Sequence, residues 1–241
     1  MNDEKNYIYC TIAIGENYFT SACEFAKKLN EFSKKHQVLI VTDQEFVDIE
    51  NCIFHKAPSY LTLFYPNGCF NYNLKHYPIK ICSETDYNTI FYFDADWKIN
   101  DSYSEEKIYN FIKNMDSCEL DFCFERPHYI GAKHEWDNCF WRHKIEPYNL
   151  METTRYDNGH VCNEQFLAFK NNDKLKKFID FWDFLDKFSV ENNIWPFAEG
   201  LEIGMSSIEA NMKFSWNEFY HLNSCYYFYA NNSPEHTFIR F

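Results

Sequence analysis

The residues best placed to do chemistry are two aspartates that close an apolar run, IFYFDADW at 90–97. Alternate side chains of an extended segment share a face, so Asp94 and Asp96 point the same way. In an open parallel sheet, ligands gather at the carboxyl ends of the strands. Two hard carboxylate donors at such a rim suit Mg²⁺ or Mn²⁺ bridging a diphosphate. The ion then offsets charge building on a departing phosphate. The bland alternative is a pair of turn aspartates in solvent. The apolar run before them, and the β-α-β order upstream, favour the metal.

A second acidic pair, Glu199 and Glu202, lies three residues apart and therefore on one face of a helix expected over 197–212. Gly200 and Gly204 beside them are costly in a helix and point to a close backbone approach. Glu164 and Asp157 are lesser acidic candidates. Between 126 and 160, Trp136, Trp141, Tyr148 and Tyr156 interleave with Arg126, His134, Arg142, His143 and Arg155. Aromatic faces stack on the C–H side of sugar rings while Arg and His donate to hydroxyls, so this stretch suits a sugar-binding surface. Its histidines lack zinc-ligand spacing. No GxSxG, HExxH or GxxxxGK pattern occurs, which sets aside the nucleophile-elbow hydrolases, zincins and P-loop NTPases.

The frame for these residues is legible in the apolar pattern. A run at 7–14 closes at Gly15 and Asn17. Phe19, Ala22, Cys23, Phe25, Ala26, Leu29 and Phe32 then recur at helical spacing, and QVLIVTD follows at 37–43. Short continuous apolar strands in β-α-β order predict a mostly parallel central sheet flanked by helices. Further strands are expected at 60–64, 88–93 and 121–125. Helices are expected at 72–83, 105–115 and 173–188, the last capped by Asp173. Pro78 leaves the first half of the 72–83 helix open, and 161–170 reads as a strand or a short helix.

At 241 residues the chain has the length of one α/β domain, 1–241, and no Pro/Gly/Ser linker divides it. A net charge of −13 disfavours nucleic-acid binding over most of the surface. The ten cysteines are scattered without a paired motif, and several fall in apolar elements, which suits reduced, buried thiols. No run approaches the ~20 apolar residues of a membrane helix, and no signal peptide is visible. The expected location is cytoplasmic, free or peripheral at the inner face of a membrane.

The segments YIYCTIAIGENYFTSACEFAKKL, QVLIVTD and PIKICSETDYNTIFYFDADWKI together resemble the nucleotide-sugar-dependent glycosyltransferases of the GT-A fold. The likeness covers roughly residues 7–100 and, more loosely, 160–212. It implies a single GT-A-like, Rossmann-like domain whose first hundred residues or so receive the donor and whose remainder receives the acceptor. It also implies that Asp96 is the main metal ligand and that Asp94 contacts ribose and metal, with Ala95 between them. Ile12, Ala13, Ile14 and Tyr18 would lie beside the base and Lys80 near the nucleotide. A third metal ligand would come late in the chain, from His221 or His236. Glu199 or Glu202, the latter favoured by Gly204, would face the acceptor hydroxyl or the sugar carbon. The implied activity is Mn²⁺- or Mg²⁺-dependent transfer of a hexosyl group from a nucleoside-diphosphate sugar to a hydroxyl of a glycan or glycolipid. The lone glycine in 14–19 departs from the glycine-richer loops common in such sites.

Two other classes compete. Haloacid-dehalogenase-like phosphatases also carry an Asp-x-Asp after an apolar strand, the first Asp being the nucleophile. Their motif usually sits near the N-terminus and continues with Gly-Thr or Gly-Val, whereas Trp97-Lys98-Ile99 follows here. A non-catalytic carbohydrate-binding protein would bind sugars without regard to metal or nucleotide.

Overall fold

The apolar run Tyr7–Ala13 becomes strand β1, buried along almost its whole length because both faces of the sheet are covered. In the computed structural model, which describes residues 7–33, 35–124, 127–129, 160–162, 165–194, 199–215, 222 and 226–228, β1 is an interior strand of a seven-stranded sheet. It pairs in parallel with β2 (Gln37–Thr42) on one side and β4 (Thr89–Phe93) on the other. Helix α1 (Glu16–Phe32) makes the crossover from β1 to β2. The full order is β10-β6-β9-β4-β1-β2-β3, with β3 at Cys52–Lys56, β6 at Phe122–Phe124, β9 at Phe166–Lys170 and β10 at Phe214–Ser215. Only β9 runs against its neighbours β4 and β6. Two small antiparallel pairs flank the sheet: β5 (Trp97–Ile99) with β11 (Tyr226–Phe228), and β7 (Pro127–Tyr129) with β8 (His160–Cys162).

Alternation along β1 divides the core. Tyr7, Tyr9 and Ala13 face α1 and α3 (Glu105–Ser117), whereas Ile8 and Cys10 face α2 (His76–Ser83) and α4 (Asp173–Glu191). Rings fill much of both layers. Tyr9 stacks on Phe91 at 5.2 Å, Phe25 on Phe93 at 3.9 Å and Phe122 on Phe169 at 4.6 Å between centroids. Each such pair adds ~0.5–1.5 kcal/mol beyond the area it buries.

The third strand is not the expected 60–64 segment. Pro58 and Pro66 bracket that stretch, Leu61 closes a turn on Pro58, and Phe64 makes only an isolated bridge to Phe70. The strand forms instead at Cys52–Lys56, an edge position with alternating half-buried and exposed residues that lacks a continuous apolar signature. The ambiguous 161–170 resolves as strand, β8 and β9. The 72–83 segment splits into a 3₁₀ turn, Tyr72–Lys75, and α2. Pro78 fits as the third residue of α2, where a backbone N–H has no helical acceptor to lose. Asn172, not Asp173, caps α4, its side chain accepting from the Lys174 and Leu175 amides.

Asp121 ties three elements together at the far end of this sheet. It accepts from Lys174 Nζ at 2.6 Å, the Lys213 amide at 2.9 Å and Asn172 Nδ2 at 3.0 Å. Burial works to raise its carboxyl, but the Lys174 ammonium and the two other donors outweigh that and hold it below the usual range. Asp121→Ala is expected to cost about 1–2 kcal/mol, since it strands a partly buried amide as well as losing a charged acceptor. A folded-state pKa below the unfolded value of about 3.9 gives stability that is complete above that value and lost as pH falls through the folded one. Urea melts of wild type and variant should therefore differ near neutrality and converge in acid. A gap that persists in acid assigns the loss to packing.

Candidate functional site

From β1 the chain steps outward to β2 and β3, then returns to the other side of β1 as β4. The carboxyl ends of β1 and β4 thus flank the topological switch point, where such sheets open a crevice. A cavity of about 320 Å³ lies there. Ile12, Ile14 and Tyr18 line it from the β1 side, and Tyr92, Asp94, Ala95 and Asp96 from the β4 side. Phe70, Tyr72 and Lys75 close a third side and Gln165 a fourth. Gln165 arrives because β9 is antiparallel to β4: Phe166 pairs with Phe93, and the Asp94 amide donates to the Gln165 carbonyl at 2.8 Å.

The polar end of the cavity is one charged network. Lys75 Nζ lies 3.0 Å from Asp94 Oδ1 and 3.2 Å from Oδ2, and Tyr92 donates its hydroxyl to Oδ1 at 2.9 Å. Among the described residues no ion pair holds Asp96, and the Lys75 and Lys98 charges only partly offset what raises its carboxyl. Burial first, and the charge of Asp94 second, push its carboxyl up to about 6. Burial and the same two aspartates also raise the Tyr18 phenol. An excess of negative charge facing a cavity, on hard oxygen donors, is what a divalent cation relieves, so Asp96 and its neighbourhood fit such an ion. Among the described residues, no third His, Cys, Asp or Glu joins them in a metal-binding group.

Lys75 is delivered by a firmly tethered turn. Asn71 caps it by accepting from the Asn73 amide at 3.0 Å, and donates to Asp186 Oδ1 of α4 at 2.7 Å. His76 Nδ1 lies 2.7 Å from the Asn73 carbonyl, and its Nε2 lies 3.3 Å from Asp183 of α4. The hydrogen bond from His76, then Lys187, holds Asp183 well below the usual carboxylate range.

The β1 wall depends on Gly15, which starts α1 with φ 85° and ψ 156°, a conformation essentially confined to glycine. Its amide donates to Asp43 Oδ1 at the end of β2 at 2.8 Å. No atom lies within 4 Å of a Cβ built there, so Gly15→Ala meets backbone strain and no clash. The expected cost is about 1–3 kcal/mol of stability. Chemical denaturation checks it, and an unchanged midpoint means that the loop relaxes freely.

Six of the residues singled out in the sequence meet in this cavity: Ile12, Ile14, Tyr18, Asp94, Ala95 and Asp96. Ala13 does not, because alternation turns it into the α1-side core, fully buried. Lys80 lines a different cavity, with His76, Asp183 and Lys187. Five residues advance a helix by well over a full turn, so Lys75 and Lys80 face different ways. Glu202, expected beside the reacting centre, is fully buried between α4 and α5 (Glu199–Glu209), accepts from Ser189 Oγ at 2.5 Å, and does not line the cavity. Glu199 opens α5, but its side chain lies outside the described residues. So do His221, His236, Glu164, Asp157 and the aromatic and basic set at 126–156. Lys75, Tyr92 and Gln165 were missed. Tyr92 was discoverable by alternation, two residues before Asp94 on the same face.

No protein-family model matches the sequence, and no curated protein matches it. Solved structures do. Core-mannan synthase A from Aspergillus fumigatus, in a Mn/GDP form, aligns with a TM-score of 0.50 over 89% of this chain and 73% of its own, at 10% identity. An active-site mutant of LgtC gives a TM-score of 0.50 over 86% of this chain and 72% of its own, at 12% identity. With its sheet order, switch-point cavity and paired aspartates, the chain has the fold of the GT-A glycosyltransferases.

Proposed function

We propose that this protein is a metal-dependent glycosyltransferase that moves a hexosyl group from a nucleoside-diphosphate sugar to a hydroxyl of a glycan or glycolipid acceptor. The observation that carries this reading is the pair of carboxylates, Asp94 and Asp96, with Lys75 beside them at the switch-point cavity of a GT-A fold. Ile12, Ile14 and Tyr18 supply an apolar wall with one ring for the base. Lys75 supplies a fixed ammonium for the phosphates, and Asp96 holds Mn²⁺ or Mg²⁺. When bound, the ion offsets the charge that develops on the leaving diphosphate. Residues up to about 100 form the donor half, and those beyond it the acceptor half. The phosphatase alternative draws no support from the solved structures that share this fold.

All eight described cysteines are free. Among the described residues, no helix is long and apolar enough to cross a membrane. The testing experiment is a thermal-shift and calorimetric screen of nucleoside diphosphates with and without Mn²⁺, followed by nucleotide-sugar hydrolysis. Metal-dependent binding of one base and slow hydrolysis of its sugar conjugate are expected. Phosphate release from simple phosphoesters, or sugar binding indifferent to metal, sinks the proposal.

A further inference from the structure

We infer that a second cavity, which shares with the donor cavity the turn that presents Lys75, binds one neutral sugar unit and is linked to the donor cavity through that turn. As a subsite for a glycan acceptor, it rests on the transferase reading above. The cavity measures about 250 Å³, below the ~300–1,000 Å³ of pockets for drug-sized ligands and so suited to a single small ring. Asp186 of α4 lines it and is only 5% exposed, and its Oδ1 accepts from the Asn71 side chain at 2.7 Å. Its Oδ2 has no hydrogen-bond partner among the described residues, and burial raises the carboxyl. A buried acceptor left open towards a cavity is costly and is answered by a ligand that donates. Lys80, exposed and without an ion pair among the described residues, lines the same cavity as a donor. The other charges are already matched: Asp183 holds Lys187 Nζ at 2.6 Å, and His76 Nε2 lies 3.3 Å from it. A cationic ligand would crowd Lys80 and Lys187, and an anionic one Asp183 and Asp186. Hydroxyl groups both donate and accept, so they serve Asp186 and Lys80 together without adding charge. Leu61 and the 76%-exposed ring of Tyr60 supply apolar surface for the C–H face of a sugar. The turn divides its residues between the two cavities: Tyr72 and Lys75 line the donor side, and Leu74, His76 and Tyr77 the other. A nucleotide that engages Lys75 therefore orders the wall the sugar uses, and the gain is reciprocal.

The test is a ligand-observed NMR titration with the methyl glycosides of glucose, galactose, mannose and N-acetylglucosamine, in chelator and then with Mg²⁺ and UDP or GDP. At least one glycoside should bind with millimolar affinity in chelator. Asp186→Asn should weaken it ~10-fold, because the amide oxygen still accepts from Asn71 while its NH₂ sets a donor against the sugar hydroxyl. Tyr60→Ala, at an exposed position outside the turn, should weaken it ~5-fold. That variant decides the matter should Asp186→Asn fail to fold. Asp96→Asn, in the donor cavity, should bind the glycoside within ~2-fold of wild type. Mg²⁺ and the nucleotide should then tighten sugar binding by wild type ~5-fold. No glycoside bound in either condition, or full affinity in both Asp186→Asn and Tyr60→Ala, overturns the site. A loss in Asp96→Asn as large as in Asp186→Asn places the sugar in the donor cavity and overturns it as well. A nucleotide that binds with metal yet leaves sugar affinity unchanged overturns the link between the cavities. Wild type that binds sugar through Asp186 but takes up no nucleotide with metal sinks the transferase reading and leaves the sugar site standing.

Discussion

Asp96→Asn is expected to lose metal-dependent donor binding and turnover while making the metal-free protein more stable. On the proposed function, the loss follows from removing the carboxylate assigned to the ion. Deleting a preorganised electrostatic contact of this kind costs ~10²–10³-fold in turnover. The gain in stability follows from the pKa. The Asp96 carboxyl sits at about 6, pushed up by burial and then by Asp94, against about 3.9 in an unfolded chain. A folded-state pKa above the unfolded one means that ionisation opposes folding. The penalty is absent below the unfolded value, grows as pH rises towards the folded value and is complete above it. Asparagine escapes it, with an expected gain of about 1 kcal/mol near neutrality once partial exposure is discounted. Melting curves in chelator across this pH range check the sign. The variant should exceed wild type near neutrality, and the two should converge in acid. Unchanged Mn²⁺-dependent nucleotide affinity sinks the metal assignment, and a large loss of stability assigns Asp96 a structural role.

Lys75→Met should weaken donor binding by ~10- to 100-fold and destabilise the fold, with Lys80→Met close to wild type on both counts. Lys75 is 6% exposed and holds both oxygens of Asp94. Breaking a buried ion pair by removing one partner costs ~3–5 kcal/mol because the other charge is left uncompensated. Here the Asp94 side chain is 22% exposed and water offsets part of that, so about 2 kcal/mol is expected. On the proposed function, the affinity change follows from losing the ammonium assigned to the phosphates, as charge-assisted hydrogen bonds are the stronger kind. Lys80 is exposed and lies outside the cavity, so its charge is screened. Calorimetry of nucleoside diphosphates on both variants decides the matter. Equal effects from Lys75 and Lys80, or none from either, would remove Lys75 from the donor site.

The central architecture was legible in the residues themselves. β1, β2 and β4 are continuous apolar runs because they are buried on both faces, and that burial writes itself into composition. The α1 and α4 helices carry their apolar stripe at helical spacing, and the two aspartates follow an apolar strand at its carboxyl end. Local pattern therefore sufficed for the parallel core, its crossover helix and one charged rim. It failed where neighbours decide. β3 is an edge strand with a half-wet sequence, and β9 is antiparallel only because of where the chain re-enters the sheet. Nothing in the spacing of Lys75 and Lys80 says which one faces Asp94, since that depends on a 3₁₀ turn whose hydrogen bonds reach to Asp183 and Asp186, more than a hundred residues away. Nor does the Glu199–Glu202 spacing say that the face of α5 carrying Glu202 packs into the interior against Ser189. The sequence by itself determined which segments must be buried and which strand end carries paired charge, because burial and alternation are local. The partners of each charge were decided by tertiary structure alone, because electrostatic interaction depends on distance through space and not along the chain.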